Sequence, residues 1–228
     1  MKKWITFDLD GTLMQNPFGL GVFPEIKRQV YAENPDIDVL AEMLEVHEQR
    51  LAHEENDQAY DWDGILDKVL KAHHLDLNLN VLDLVIQHCK PPYIALLEEE
   101  VPEILKELQH LGYSLAVITN GYYNYQFPVM KALNISDYFE AIITPEQVGH
   151  AKPHPGMADK LTAKGTLVAH VGDRVDHDVV FANQLGAMSI LISRSNAKTA
   201  ETFADRETLT TPKCVISSLA ELPQLLQC

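Results

Sequence analysis

The sequence predicts an α/β fold, a parallel sheet with helices on both faces, and three observations carry that expectation. Short aliphatic and β-branched runs recur along the chain and alternate with amphipathic helical stretches. Each run ends in turn chemistry, and several of those ends carry acids, hydroxyls or amides. One interval, between the first run and the second, is far longer than a crossover needs and is helical in pattern throughout.

The elements follow in order. WITFDL (4–9) reads as the first strand, closing on Asp8, Asp10 and Gly11. MQNPFGLGVFP (14–24), rich in Gly and Pro, suits either a hinge or an ordinary linker. Four helical patterns come next, at 24–34, 37–55, 62–74 and 81–90, with Pro35 between the first two and Pro91-Pro92 closing the last. Leu40, Met43, Leu44 and Leu51 give the second of them a burying face. Residues 15–92 are thus expected to form a helical insertion packed as its own bundle, and residues 1–14 with 93–228 the sheet-bearing core.

Beyond the insertion, VPEILKELQHLG (101–112) puts Val101, Ile104, Leu105, Leu108 and Leu111 on one helical face and stops at Gly112. Strands are expected at SLAVIT (114–119), AII (141–143), LVAHV (167–171), MSILIS (188–193) and CVI (214–216). Shorter helices are expected at 124–133 and 178–186. SSLAELPQLLQ (217–227) reads as a serine-capped last helix interrupted or restarted at Pro223. Strands alternating with helices imply parallel pairing.

Composition narrows the function classes. With 46% hydrophobic and 22% charged residues the chain is an ordinary globular protein. Thirty-three acids against 18 bases, a formal net charge of −15, disfavour a nucleic-acid polymer or an anionic membrane as partner, yet leave room for a small phosphorylated metabolite at one locally positive site. Cys89, Cys214 and Cys228 lack metal-binding spacing and suit reduced thiols. No secretory leader or run of about 18 apolar residues is read, so a cytoplasmic location is expected. His47, His53, His73, His74 and His88 in the insertion also lack ligand spacing and are expected on solvated helix faces. No coiled-coil heptad or large apolar patch is read that would set an oligomeric state.

The strand ends carry the chemistry. Asp8 and Asp10, two apart, share a face at a strand end, where their repulsion calls for a cation, a shared proton or a positioned substrate. The second strand ends in Thr119-Asn120-Gly121, suited to donating hydrogen bonds to an anion. A loop after AII carries Lys152, and LVAHV runs into GDRVDHD (172–178), with Asp173, Asp176 and Asp178. In a parallel sheet these four segments lie along one edge, a carboxylate cluster for a hard cation beside hydrogen-bond donors for a phosphoryl group.

In that order, DLDGT (8–12), TNG (119–121), Lys152-Pro153 and GDRVDHD resemble the four motifs of the haloacid dehalogenase-like hydrolases, from Phe7 to about Gly186. The insertion resembles the helical cap of the subgroup that includes phosphoglycolate phosphatases and pyrimidine 5′-nucleotidases. The resemblance implies a Rossmann-like core with a mobile cap. It also implies Asp8 as nucleophile and Mg²⁺ ligand, and Asp10 as general acid and base with its backbone carbonyl on the metal. Thr119 and Lys152 would hold phosphoryl oxygens, helped by the amides near Gly11 and Asn120. Asp173 would ligate Mg²⁺, and Asp178 would support its water shell or orient Lys152. Asp176 ranks below these, and His150, His154, His170 and His177 are neighbours without an implied role.

Asp10 separates the reactions of the family, because a leaving alkoxide needs a proton donor and a leaving halide does not. The expected activity is therefore Mg²⁺-dependent hydrolysis of a small phosphate monoester through an aspartyl-phosphate. A phosphomutase, a dehalogenase or a non-catalytic ligand- or protein-binding member of the fold are the alternatives. A Schiff-base phosphonate hydrolase would need an insertion lysine, and Lys27, Lys68 and Lys71 fall in no recognised motif. The stretch between Lys152 and the metal motif is shorter than in relatives, cutting the helix there to about two turns, PGMADKLTA (155–163).

Overall fold

The computed structural model describes residues 1–194 and 208–227. The chain opens with β1 (Lys2–Phe7) and the short β2 (Met14–Gln15), then a π-turn at Phe18–Val22. Four helices follow: α1 (Phe23–Glu33), α2 (Val39–Ala52), α3 (Trp62–Ala72) and α4 (Val81–Gln87). Next come β3 (Ala95–Leu96), α5 (Val101–His110), β4 (Ser114–Ile118), α6 (Tyr123–Ala132), β5 (Ala141–Ile143) and α7 (Pro145–Val148). The remainder is α8 (Asp159–Thr162), β6 (Gly165–Gly172), α9 (Val180–Gln184), β7 (Met188–Ile192), β8 (Cys214–Ile216) and α10 (Leu222–Leu225).

Six strands form one sheet in the order β5-β4-β1-β6-β7-β8, and every pairing in it is parallel. The chain leaves β1 for β4 and β5 on one side, then returns to β6 on the other. The strand order therefore reverses at β1, the position where open α/β sheets hold ligands. Register aligns the ends: Phe7 lies opposite both Val117 and Val171. The ladder continues past it, with Asp8 N–H donating to Val171 O at 2.9 Å and Thr119 N–H to Ile143 O at 3.2 Å. Asp8, Thr119 and Asp173 thus leave the sheet within about one residue, roughly 3.3 Å, of the same level.

Alternation along β1 divides the core between the two sheet faces. Ile5 and Phe7 face a cluster with Leu105, Leu108, Val117 and Val129, supplied in part by α5 and α6. Trp4 faces the other side, with Met157, Ala158, Leu161 and Phe181 from the segments around α8 and α9. The shortened stretch after Lys152 is one 3₁₀ turn, Pro155–Ala158, continued by one α turn. Trp4, only 2% exposed, packs in the same cluster as these turns, so the large indole fills the layer between them and the sheet.

The insertion begins and ends together: Met14 and Gln15 pair antiparallel with Leu96 and Ala95. Its helices pack in series, α1 on α2, α2 on α3 and α3 on α4, while α4 also packs on α6. Asp38, Asp61 and Asn80 cap α2, α3 and α4 through side-chain oxygens that accept backbone N–H groups. The buried residues Ile26, Met43, Leu66 and Val85 belong to the same continuous apolar cluster as Ile5 and Phe7, so the expected separate bundle shares its core with the sheet.

Helix phase accounts for other departures from the pattern reading. The buried stripe of α2 is Val39, Met43 and Val46, and Leu44 is 49% exposed because it lies about 100° from Met43. Leu111 follows the last residue of α5 and is 39% exposed, while Gly112 stops the chain at φ +89° as expected. His53 and His74 are exposed, as expected, but His47 and His88 are not. Each stands four residues after a buried residue, Met43 and Leu84, and so falls on the inward stripe. The last helix restarts at Pro223 behind a capping box of Ser218 and Glu221. Cys89 and Cys214 are free thiols, and Cys228 lies outside the described residues. No helix among the described residues is long and apolar enough to cross a membrane.

Leu108 is fully buried on α5. Leu108→Ala is expected to cost about 2–5 kcal/mol in urea unfolding with an unchanged m-value. Leu111→Ala, three residues on but exposed, should stay within about 0.5 kcal/mol of the parent.

Candidate active site

One cavity of about 460 Å³ lies over the carboxyl ends of β1, β4 and β6 and beneath the insertion. Asp8, Asp10, Thr119, Asn120, Lys152, Asp173 and Asp178 all line it. The four segments expected along one sheet edge are therefore brought together around a single space.

At its floor the Lys152 ammonium donates to Asp8 Oδ1 and to Asp178 Oδ1, both at 2.6 Å, with Lys152 only 4% exposed. Behind them stands a buried polar chain. Asp178 Oδ1 meets His170 Nε2 at 3.1 Å, and His170 Nδ1 meets Thr6 Oγ1 at 2.8 Å. The Arg174 backbone N–H donates to Asp178 Oδ2 at 3.0 Å. Burial keeps His170 below its ordinary pKa, and its ring bridges Asp178 at Nε2 and Thr6 at Nδ1.

The loop that brings in Lys152 is tied to the end of β4. Lys152 N–H donates to Asn120 Oδ1 at 2.7 Å, and Asn120 Nδ2 donates back to Lys152 O at 3.2 Å. The same Nδ2 donates to the Tyr60 hydroxyl at 2.9 Å, linking that pair to the insertion. Thr119 Oγ1 accepts Gly121 N–H at 3.2 Å.

Asp10 has a different setting. Gln126 Nε2 donates to its Oδ2 at 2.6 Å, while its Oδ1 is buried without a hydrogen-bond partner. Gly11, at φ +79°, passes so close to Asp173 that a Cβ would land on that carboxylate, and a Cβ on Gly172 would collide with Asp178. Both glycines let backbone lie directly against the acids.

Electrostatics separates the carboxylates. Burial, reinforced by Asp178, pushes Asp8 up to about 8 against the pull of Lys152. Burial also works against the Asp178 carboxylate, but Lys152 and His170 outweigh it and hold Asp178 below its ordinary value. The Lys152 ammonium is likewise disfavoured by burial, yet Asp178 and Asp8 together raise it above the usual lysine range. Burial raises Asp10, offset in part by Gln126 and Asn16. Asp173 is raised by burial and then by Asp178.

Oxygens of Asp8, Asp173 and Asp178 lie within 4.8 Å of one another. An all-carboxylate set of this kind fits a hard divalent cation such as Mg²⁺, and positive charge there would lower the acids that burial raises. Asp10's carboxylate is not part of that group.

Other expected neighbours divide. His177 lines the cavity. Asp176 is turned to solvent and paired with Arg174 at 2.6 Å. His150 and His154 stack on each other, ring centroids 3.8 Å apart, and neither lines the cavity. Pattern reading missed Gln126, Arg174 and the aromatic lining from the insertion, among them Tyr60 and Trp62. Gln126 had one legible signal, its place in the first turn of the helix that follows TNG.

A glyceraldehyde 3-phosphate phosphatase of Methanocaldococcus jannaschii is 26% identical over 88% of this chain and 89% of its own length. A probable phosphatase of Dickeya dadantii, IndB, is 27% identical over 83% and 80%. The structure of a HAD phosphatase from Thermococcus onnurineus has a TM-score of 0.72 at 22% identity, covering 99% of this chain and 98% of that one. The L-2-haloacid dehalogenase of Xanthobacter autotrophicus with chloropropionic acid covalently bound has a TM-score of 0.64 at 17% identity, covering 100% and 99%. These two structures share the fold. The model of the family described as haloacid dehalogenase-like hydrolase matches residues 5–192, most of the chain, and the protein belongs to that family.

Proposed function

We propose that this hydrolase is a phosphatase acting on small phosphate monoesters, with Asp8 as nucleophile and Asp10 as proton donor and acceptor. The observation that carries the reading is the contrast between the two acids. Burial raises both acids, but Asp8 is bonded to the buried Lys152 ammonium at 2.6 Å, whereas Asp10 is bonded to the neutral Gln126 amide at 2.6 Å. One is placed to attack and the other to carry a proton.

Lys152 and the end of β4 would offer a cation, the Thr119 hydroxyl and the Asn120 N–H to the phosphoryl oxygens. Asp8 Oδ attacks phosphorus, the bond to the leaving oxygen breaks, and the Asp10 proton passes to that oxygen to release the alcohol. The Asp10 carboxylate then takes a proton from water as the water oxygen attacks the aspartyl-phosphate. The phosphorus bond to Asp8 breaks, inorganic phosphate leaves, and both acids return to their starting forms. Before the attack, Asp178 and Asp8 favour the ammonium form of Lys152. Mg²⁺ held by Asp8 and Asp173, with Asp178 alongside, would neutralise charge on the transferring group.

Residues 15–92 would act as a cap over residues 1–14 and 93–228. The β2–β3 ribbon at their junction and the cavity beneath the insertion support that division. The phosphatase names of the relatives favour the monoester reading over dehalogenation. Asp10 favours it as well, since halide departure has no use for a proton donor. Lys27, Lys68 and Lys71 are exposed and do not line the cavity, which argues against Schiff-base chemistry.

With 4-nitrophenyl phosphate, Mg²⁺-dependent turnover is expected, lost with excess EDTA and lost in Asp8→Asn. Turnover that survives Asp8→Asn would overturn the nucleophile assignment. Asp10→Asn should cost about 10²–10⁴-fold on alkyl phosphates and markedly less on 4-nitrophenyl phosphate, whose leaving group needs little protonation. An equal loss on both esters would remove the general-acid role. Gly11→Ala should lose about 1–2 kcal/mol of stability from its positive φ, read by thermal unfolding. Displacement of Asp173 should also raise the Mg²⁺ concentration needed for half-maximal rate.

A further inference from the structure

Opposite the acids, the cavity is walled by rings. Phe18, Phe23, His47, Tyr60 and Trp62 come from the insertion and Tyr125 from α6. They form one connected set. Phe18 meets Phe23 at 5.2 Å and Tyr125 at 5.7 Å, both edge to face, and Phe23 meets Trp62 edge to face at 5.3 Å. His47 stacks on Trp62 at 5.1 Å and meets Tyr60 edge to face at 5.0 Å. Contacts of this kind fix ring orientation, so the wall is ordered by its own members.

Three polar atoms of this wall have protein partners. Tyr60 OH accepts from Asn120, Tyr125 OH donates to Asp63 Oδ2 at 2.9 Å, and His47 Nδ1 meets Ala59 O at 2.5 Å. Glu48 also lines the cavity, but it is exposed. Against the ring faces, a polyol esterified to phosphate would lose water from its hydroxyls without gaining hydrogen bonds there. A planar apolar group would replace water with ring contacts.

Resting on the monoester reading above, we propose that the preferred substrates carry a planar aromatic ring close to the phosphoryl group, as in arylmethyl phosphates, rather than an open-chain polyol. The volume of about 460 Å³ accommodates a phosphoryl group and such a ring together. Trp62 and Phe23 would be specificity-determining residues. Trp62 holds the centre of the wall, in contact with His47, Phe18 and Phe23.

Benzyl phosphate, cyclohexylmethyl phosphate and glycerol 3-phosphate are all esters of primary alcohols, so differences in leaving-group chemistry are small and planarity is tested apart from bulk. With Mg²⁺ present, kcat/KM for the benzyl ester should exceed that for the cyclohexylmethyl ester by about three- to tenfold, the size of one ring–ring contact. It should exceed that for glycerol 3-phosphate by about tenfold or more, from apolar burial. The benzyl-to-cyclohexylmethyl ratio should fall toward one in Trp62→Leu, with Phe23→Leu as the second variant. Equal kcat/KM for the three esters, or a preference for glycerol 3-phosphate, would overturn the proposal while leaving the phosphatase reading standing. Calorimetric binding of benzylphosphonate against cyclohexylmethylphosphonate separates the opposite case. Tighter binding of the benzyl compound with no hydrolysis of any ester would uphold the wall and remove the phosphatase reading, and equal binding would overturn the wall.

Discussion

A single buried ammonium organises this molecule. Lys152 is 4% exposed and lies 2.6 Å from a carboxylate oxygen of Asp8 and from another of Asp178. A charge taken out of water is stable only when paired and fully hydrogen-bonded, so each partner must be held in turn. Asp178 is held by His170 and by the Arg174 N–H, and His170 by Thr6 on β1. Lys152 is held through its own backbone by Asn120. The ends of β1, β4 and β6 are thereby drawn to one point, and the parallel register of the sheet brings them to the same level.

The sheet and the motif residues were legible because they rest on local signals. An apolar run that stops at a carboxylate, or at Thr119-Asn120-Gly121, announces both a strand and its chemistry. The insertion was legible as helices and less so as surfaces. Leu44 reads as a buried position and His47 as a solvated one, yet Leu44 is exposed and His47 lines the cavity. Phase relative to Met43 decides this, and phase is set by tertiary packing as much as by sequence. The aromatic wall was illegible for a further reason. Phe18, Trp62 and Tyr125 are far apart in the chain, and only the closing of the insertion over β1 and α6 makes them neighbours.

The segment after Lys152 covers its sheet face with two short turns. Trp4 on β1 packs there with Met157, Ala158 and Leu161. The lysine loop keeps its place because Asn120 anchors it from β4, independently of the helix that follows. Core packing and the reach of Lys152 are thus secured by different residues.

The Asn120 amide serves two masters. Its oxygen receives the Lys152 N–H, and its nitrogen donates both to Lys152 O and to Tyr60 of the insertion. One planar group therefore registers the seating of the lysine loop and the seating of the insertion at once. Such sharing is reciprocal by thermodynamic necessity. Whatever draws Tyr60 onto Asn120 also steadies the loop bearing the ammonium, and whatever orders that loop favours the insertion resting where it does. Occupancy of the roof and readiness of the floor become one equilibrium, read through a single side chain that touches no reacting atom in this arrangement.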